Sequence, residues 1–201
     1  MTDAAALSAL LSRVAAVSVD LDGTMVDTMG DFNEALNRML RELSLPSIQA
    51  QEIDHMVGKG SEHLLKSVLK PVVAPVDKAL AAIKTEAFYP ATCASYQRHY
   101  LDINGQYAQV YTGVPEGLAA LHAAGLRLAC LTNKPTAFAL PLLASEGLDG
   151  YFSQVFGGDA FARKKPDPLP LLKTCEALGT SPARTLMVGD SSNDAQAARA
   201  A

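Results

Sequence analysis

The chain has 201 residues, of which 49% are hydrophobic and 19% are charged, and its mean hydropathy is +0.11. This composition is typical of a globular protein with enough apolar side chains for a core, and it excludes a disordered chain. The 17 basic and 21 acidic residues give a net charge of −4, which argues against nucleic acid or an anionic membrane surface as the main partner. A small anionic ligand stays compatible with this charge, because one local cluster of cations is enough to bind it.

Cysteine and histidine are sparse and widely spaced along the chain. The three cysteines form no Cys-x-x-Cys pair, which argues against a disulfide framework or a zinc site and favours a reducing, cytoplasmic location.

No apolar run approaches the roughly 18 residues that a membrane span needs. The N-terminus lacks the basic start of a secretory signal. We therefore expect a cytoplasmic protein.

Apolar runs alternate with helical patterns along most of the chain. Buried parallel strands are predicted at residues 14–19, 126–131 and 185–188, with a weaker strand at 154–156. Helices are predicted at residues 114–124, 137–145 and 169–178. Strands and helices that alternate with short connections indicate an α/β fold, a Rossmann-like doubly wound parallel sheet with right-handed crossovers.

The segment that follows the first strand has a different pattern. Apolar residues recur at helical spacing within residues 32–43, 64–69 and 80–88, and the last of these patterns ends at Pro90. These roughly 85 residues show no convincing strand and are long enough for a small domain. We therefore predict an α/β core domain made of residues 1–27 and 112–201, and an inserted all-helical domain of residues 28–111.

A group of polar residues follows each predicted strand. These groups are DLDGT at 20–24, TNKP at 132–135, KKPDP at 164–168 and GDSSND at 189–194. Open α/β sheets bind ligands outside the carboxyl ends of their strands. The predicted sheet would therefore gather three carboxylates, a hydroxyl group and a lysine at one edge.

Taken singly, each group has a plain structural explanation as a turn, a helix cap or a solvated charge. Taken together, these explanations are unsatisfactory, because Asp20, Asp22 and Asp190 would repel one another at adjacent strand ends. A hard divalent cation, Mg²⁺, would hold them there, since it binds carboxylates, waters and a phosphate oxygen.

The four groups, in this order, resemble the four motifs of the haloacid dehalogenase superfamily of phosphatases across nearly the whole chain. The inserted segment resembles the C1-type cap of that superfamily, and the strings YTGVPEGLAALHAAG, LTNKP and KKPDPLPLL resemble its phosphoglycolate phosphatase branch. Members normally continue with another strand and helix after the last motif. We therefore expect a C-terminally truncated core whose last strand is an exposed apolar edge.

The resemblance implies that Asp20 is the nucleophile and forms an aspartyl-phosphate, while Asp22 serves as general acid and then as general base. It also implies that Mg²⁺ lies between the Asp20 carboxylate, the backbone carbonyl of Asp22 and the Asp190 carboxylate. Residues i and i+2 of an extended chain point the same way. The spacing therefore lets Asp20 and Asp22 reach one substrate.

The resemblance further implies that Lys165 and the Thr132 hydroxyl hold phosphoryl oxygens, assisted by backbone N–H groups around Gly23 and Asn133. Three roles stay open for Asp194. It would bind the metal through water, orient Lys165, or cap the last helix.

Gly58, Lys59 and Gly60 lie between two helical patterns and resemble the specificity loop of C1 caps. If the substrate is phosphoglycolate, its carboxylate needs a cation, and Lys59 is the first candidate, followed by Arg98 and His63. A plain interhelical turn with an exposed lysine is the alternative. The cap would select the substrate by closing over it.

These expectations favour a Mg²⁺-dependent phosphatase acting on a small-molecule phosphoester, with 2-phosphoglycolate as the leading substrate. Pyrophosphate, sugar phosphates and nucleotides stay open as substrates. A phosphomutase that uses the same intermediate and a non-catalytic binding protein are the alternative functions. The oligomeric state is left open.

Overall fold

The structure is a computed structural model that describes residues 12–58, 60–73 and 78–201. It divides into two compact units by its internal contacts. One unit joins the chain up to Val26 with Val110–Ala201, and the other consists of Asp27–Gln109.

The secondary structure of the described residues comprises six strands, eight α-helices and three short 3₁₀ turns. The strands are β1 (Ala16–Val19), β2 (Val26–Asp27), β3 (Gln109–Val110), β4 (Arg127–Leu131), β5 (Gln154–Phe156) and β6 (Thr185–Val188). The helices are α1 (Met29–Glu42), α2 (Ala50–Ile53), α3 (Ser61–Val73), α4 (Lys78–Ile103), α5 (Val114–Ala123), α6 (Thr136–Ser145), α7 (Leu169–Ala177) and α8 (Ser192–Ala200). The 3₁₀ turns are Asp54–Met56, Asp149–Tyr151 and Pro182–Arg184.

The first unit is built on a parallel sheet with the strand order β5–β4–β1–β6. β1 is central and buried along its whole length, as expected for the apolar run at the start of the described chain. Helices follow β4, β5 and β6 in the chain, and Leu128, Leu142 and Leu171 are among the buried core residues. The predicted fold class, a parallel α/β sheet with flanking helices, is confirmed.

The register of the strands brings their carboxyl ends level with one another. Val19 at the end of β1 is paired with Cys130 of β4 and with Val188 of β6. The polar residues that follow these strands therefore emerge at the same edge of the sheet. β6 lies at one side of the sheet, and its last residue, Val188, is 38% exposed.

The second unit is helical, and its buried side chains come from α1, α3 and α4. Phe32, Leu36 and Leu40 of α1 are buried, at the spacing of one helix face. The rings of Tyr96 and Tyr100 on α4 lie 5.5 Å apart and are also fully buried. These aromatic rings therefore pack inside the core of the helical unit.

The expectation that the third helical pattern of this segment ends at Pro90 was wrong, because α4 continues through Pro90 to Ile103. A proline inside a helix removes one backbone hydrogen bond and costs about 3 kcal/mol. Pro90 is exposed, whereas Tyr96, Tyr100 and Ile103 beyond it are buried. Their burial offsets the cost of the proline. The two-residue strands β2 and β3 were also missed.

Among the described residues, no helix combines the length and the apolar character needed to cross a bilayer.

Candidate active site

Three carboxylates from two distant segments of the chain lie together beyond the carboxyl ends of β1 and β6. One oxygen each from Asp20, Asp190 and Asp194 falls within 4.8 Å of the other two. Asp20 and Asp194 are buried, whereas Asp190 is exposed. Asp20 directly follows β1, and its backbone N–H donates to the carbonyl of Val188 in β6. The sheet itself therefore brings the two acidic segments together.

Two glycines make room for these carboxylates. A Cβ atom at Gly23 would lie 2.6 Å from Oδ2 of Asp190, and Gly23 has a φ of +79°. A Cβ atom at Gly189 would overlap the carboxylate of Asp194. The hydroxyl of Thr24 donates to Oδ1 of Asp190 over 2.7 Å and fixes that side chain. The loops therefore use residues without side chains where the acidic groups must approach closely.

Lys165 lies among the buried carboxylates. Its Nζ is 3.0 Å from Oδ1 of Asp20 and 2.6 Å from Oδ1 of Asp194, and it donates to the carbonyl of Leu131. Burial alone would lower the pKa of Lys165, but the charges of Asp20 and Asp194 outweigh burial and raise it. Lys165 is therefore a fixed cation between two acidic groups.

The carboxyl group of Asp20 is strongly perturbed. Burial raises its pKa to about 7, while the ammonium of Lys165 opposes this rise and the charge of Asp194 adds to it. Its Oδ1 also accepts a hydrogen bond from the N–H of Leu21. A buried acid with a raised pKa beside a specific charged partner is typical of a functional site.

The contacts of Asp194 match two of the three roles left open for it, which are capping the last helix and orienting Lys165. With Ser191 it forms a capping box at the start of α8, in which the backbone N–H of Ser191 donates to Oδ2 of Asp194. Its other oxygen, Oδ1, faces Lys165. One carboxylate thus stabilises the helix start and contacts the buried lysine.

Thr132 and Asn133 follow β4 and are buried near Lys165. The Thr132 hydroxyl accepts a hydrogen bond from the backbone N–H of Lys134. The side-chain amide of Asn133 donates to the carbonyl of Lys165 over 2.9 Å and so holds the segment that carries this lysine. The backbone N–H of Gly23, which was expected to assist phosphate binding, donates instead to the carbonyl of Val26 inside its own turn.

Sequence reasoning missed Lys134. Its side chain is 2% exposed, and its Nζ donates to Oδ1 of Asp22 over 3.0 Å. The carboxylate of Asp22 thus contacts a lysine that is distinct from Lys165. A lysine directly after the polar Thr132 and Asn133 at a strand end was the available signal.

The helical unit contains the residues nominated for substrate selection. Arg98 donates to both carboxylate oxygens of Glu42 at 2.7 and 2.6 Å. Hydrogen bonds from Arg98, Ser95 and His99 lower the pKa of Glu42 to about 2. The guanidinium of Arg98 thus has a partner within the same unit.

The proposed specificity loop is described only in part. Gly58 and Gly60 have φ values of +91° and +88° and precede α3, and His63 on that helix is exposed. Lys59 lies outside the described residues.

Asp20, Asp190 and Asp194 form an acidic cluster, and its donor chemistry fits a hard divalent cation. Carboxylate oxygens are the ligands that Mg²⁺ prefers. The site brings together four carboxylates and two ammonium groups, from Asp20, Asp22, Asp190, Asp194, Lys134 and Lys165. When all are ionised they leave an excess of two negative charges, which one divalent cation balances. Buried like charges without such a cation would repel one another.

Residues 14–201 match the family of haloacid dehalogenase-like hydrolases. The chain is 42% identical over 188 residues to a phosphoglycolate phosphatase of Thiobacillus denitrificans, which covers 94% of this chain and 80% of that relative. It is 44% identical over 187 residues to a plasmid phosphoglycolate phosphatase of Cupriavidus necator, covering 92% of this chain and 77% of the relative.

The fold is shared with solved structures. The crystal structure of a predicted phosphoglycolate phosphatase from Haemophilus somnus matches with a TM-score of 0.82 and 28% identity, covering 94% of this chain and 82% of that chain. CbbY of Rhodobacter sphaeroides, solved in complex with phosphate, shares the fold with a TM-score of 0.74 and 20% identity, over 93% and 82% of the two chains. The resemblance found in the sequence is confirmed, and the chain belongs to the haloacid dehalogenase-like hydrolase family.

Proposed function

We propose that this hydrolase is a Mg²⁺-dependent phosphatase that hydrolyses a small phosphate monoester, with 2-phosphoglycolate as its leading substrate. The family and the names of the relatives support a phosphoric monoester hydrolase. The observation that carries the proposal is the cluster of Asp20, Asp190 and Asp194 around the buried Lys165. The cluster combines a carboxylate nucleophile with groups that can offset the charge of a phosphate dianion.

Asp20 and Asp190 would hold Mg²⁺ together with the backbone carbonyl of Asp22, and Asp194 would assist through a water molecule. Bound there, Mg²⁺ supplies positive charge that lets a phosphate dianion approach a carboxylate. Lys165 and the Thr132 hydroxyl would bind the remaining phosphoryl oxygens.

The reaction would pass through two displacements at phosphorus. In the first, a carboxylate oxygen of Asp20 bonds to phosphorus, the bond to the leaving oxygen breaks, and that oxygen takes its proton from the carboxyl group of Asp22. In the second displacement, a water molecule gives a proton to the Asp22 carboxylate while the oxygen of that water bonds to phosphorus. Asp20 is then released as a carboxylate, and phosphate leaves.

Selection of an acidic substrate would rest on a cation of the helical unit. Lys59 is our first candidate to bind the substrate carboxylate, flanked by Gly58 and Gly60. Arg98 ranks behind it, because its guanidinium already pairs with Glu42, and His63 is the third candidate.

We place the enzyme in the cytoplasm, acting on a small molecule. Free thiols at Cys93, Cys130 and Cys175 support a reducing compartment.

The proposal is tested by measuring the release of phosphate from 2-phosphoglycolate, pyrophosphate, a sugar phosphate and a nucleotide, with Mg²⁺ and with excess EDTA. We expect Mg²⁺-dependent release that is fastest with 2-phosphoglycolate, and no turnover by Asp20→Asn. Release that is undiminished in EDTA, or retained by Asp20→Asn, would contradict the mechanism. Isomerisation of a sugar phosphate without phosphate release would instead indicate a phosphomutase.

A further inference from the structure

The backbone of Lys134 is held by hydrogen bonds on both its N–H and its carbonyl group. Its backbone N–H donates to the hydroxyl of Thr132 over 3.1 Å, and its carbonyl accepts from the N–H of Gly158 over 2.8 Å. A Cβ atom at Gly158 would overlap the backbone of Asn133, so the loops after β4 and β5 pack tightly. The side chain of Lys134 therefore starts from a rigid base.

The buried ammonium group of Lys134 is paired with a carboxylate from a distant segment of the chain. Lysine is almost never fully buried unless it is paired, because removing an ammonium group from water costs several kcal/mol. Lys134 is buried and contacts the carboxylate of Asp22, whose side chain is 14% exposed. This pair joins segments that lie 112 residues apart in the sequence. The contact therefore depends on the assembled active site and not on a local turn.

The two buried lysines contact different carboxylates. Lys165 contacts Asp20, the proposed nucleophile, and Asp194, another member of the acidic cluster. Lys134 lies against Asp22, the proposed acid and base. Lys165 is thus placed to serve phosphoryl binding, whereas Lys134 is placed to serve proton transfer.

We propose that Lys134 is a positioning residue that fixes the carboxyl group of Asp22 for proton transfer. This inference rests on the proposed phosphatase function. In the first displacement the proton passes from Asp22 to the leaving oxygen, and in the second it passes from water to Asp22. The side chain of Lys134 contacts the carboxylate of Asp22, so it acts through Asp22 and not on phosphorus.

A comparison of leaving groups separates this role from a structural one. The alkoxide of an alkyl phosphate must be protonated to leave, whereas p-nitrophenolate leaves without an acid. The value of kcat/KM reports the steps up to formation of the aspartyl-phosphate, and it is therefore the quantity to compare.

We expect Lys134→Met to lower kcat/KM about 10- to 100-fold for 2-phosphoglycolate, or for the best alkyl phosphate found, and less than about 3-fold for p-nitrophenyl phosphate, since general acid catalysis contributes about 10²–10⁴-fold. Lys173→Met is the matched control, because Lys173 is an exposed lysine of the same unit that pairs with Glu176. It should leave both values unchanged. Lys134→Arg, which keeps the charge, should restore part of the loss.

A double-mutant cycle shows whether Lys134 acts through Asp22. In an Asp22→Asn background, Lys134→Met should cause little further loss on the alkyl phosphate. Additive losses, or a rise in KM confined to acidic substrates, would show instead that Lys134 binds the substrate and would overturn the inference. An equal loss on both leaving groups would also overturn it.

Melting temperatures identify variants that fail to fold. If Lys134→Met does not fold, Lys134→Arg and Lys134→Gln carry the same comparison of leaving groups. A wild-type chain that releases no phosphate contradicts the proposed function. An active wild type whose Lys134 variants lose activity equally on both substrates contradicts only the role of Lys134.

Discussion

Gly23→Ala tests whether the position of Asp190 is set by the close packing of the loop after β1. The added Cβ would lie 2.6 Å from Oδ2 of Asp190, whereas ordinary contact begins at 3.4 Å. Asp190 would therefore have to retreat by about 0.8 Å, a displacement close to the ~1 Å that costs about 10²-fold in rate. The movement would also strain the hydrogen bond from Thr24.

The substitution also strains the backbone, because Gly23 has a φ of +79°. An alanine in the left-handed region costs roughly 1–2 kcal/mol. Gly125→Ala is the matched control, since Gly125 has a φ of +76° and a Cβ there would meet nothing within 4 Å. Both variants should lose similar stability, and only Gly23→Ala should disturb the acidic cluster.

The assay is the rate of phosphate release as a function of Mg²⁺ concentration, with urea unfolding measured in parallel. We expect Gly23→Ala to need more Mg²⁺ for half-maximal activity and to lose about 10²-fold in kcat. Gly125→Ala should retain wild-type values for both. If the two variants have equal activity and equal Mg²⁺ dependence, Asp190 does not act as a metal ligand in the position described.

Three further predictions follow from individual charged groups. Because burial raises the pKa of Asp20 to about 7, the folded metal-free protein holds a proton that the unfolded chain releases above its ordinary pKa of 3.8. The free energy of unfolding should therefore fall as the pH rises from about 4 to about 7. Urea titrations of the Asp20→Asn variant should lack this fall. The pKa of Glu42 is lowered to about 2, so its stabilising effect is present above its ordinary value of 4.5 and is lost as the pH falls toward 2. The difference in melting temperature between wild type and Glu42→Gln should shrink over that interval, and a constant difference would contradict the assignment. Lys59→Ala should raise KM for 2-phosphoglycolate and leave KM for a neutral phosphoester unchanged, and equal effects on both substrates would remove Lys59 from substrate selection.

The architecture of the sheet was predictable because its strands are short apolar runs separated by helices with clear ends. The predicted strands at 154–156 and 185–188 coincide with β5 and β6. Parallel strands direct their carboxyl ends to one edge. The proximity of Asp20 to Asp190 and Asp194 could therefore be expected before any coordinates were known.

Other features depend on contacts that no local pattern reveals. A proline usually ends a helix. The burial of Tyr96 and Tyr100 beyond Pro90 explains why α4 continues past it. The pairing of Lys134 with Asp22 joins two loops that are adjacent only in the folded sheet. Arg98 was a candidate for substrate binding because of its charge, but its contact with Glu42 became visible only once the helices were packed.

The central claim is that Asp20 carries the phosphoryl group during turnover. Asp22→Asn with p-nitrophenyl phosphate tests it most directly, because the first displacement then needs no acid while the second lacks its base. We predict a burst of one p-nitrophenolate per enzyme, slow turnover afterwards, and, after acid quenching, a phosphoryl group on the peptide containing Asp20 by mass spectrometry. A phosphoryl group on another residue, or steady turnover without a burst or a modified peptide, would contradict the account.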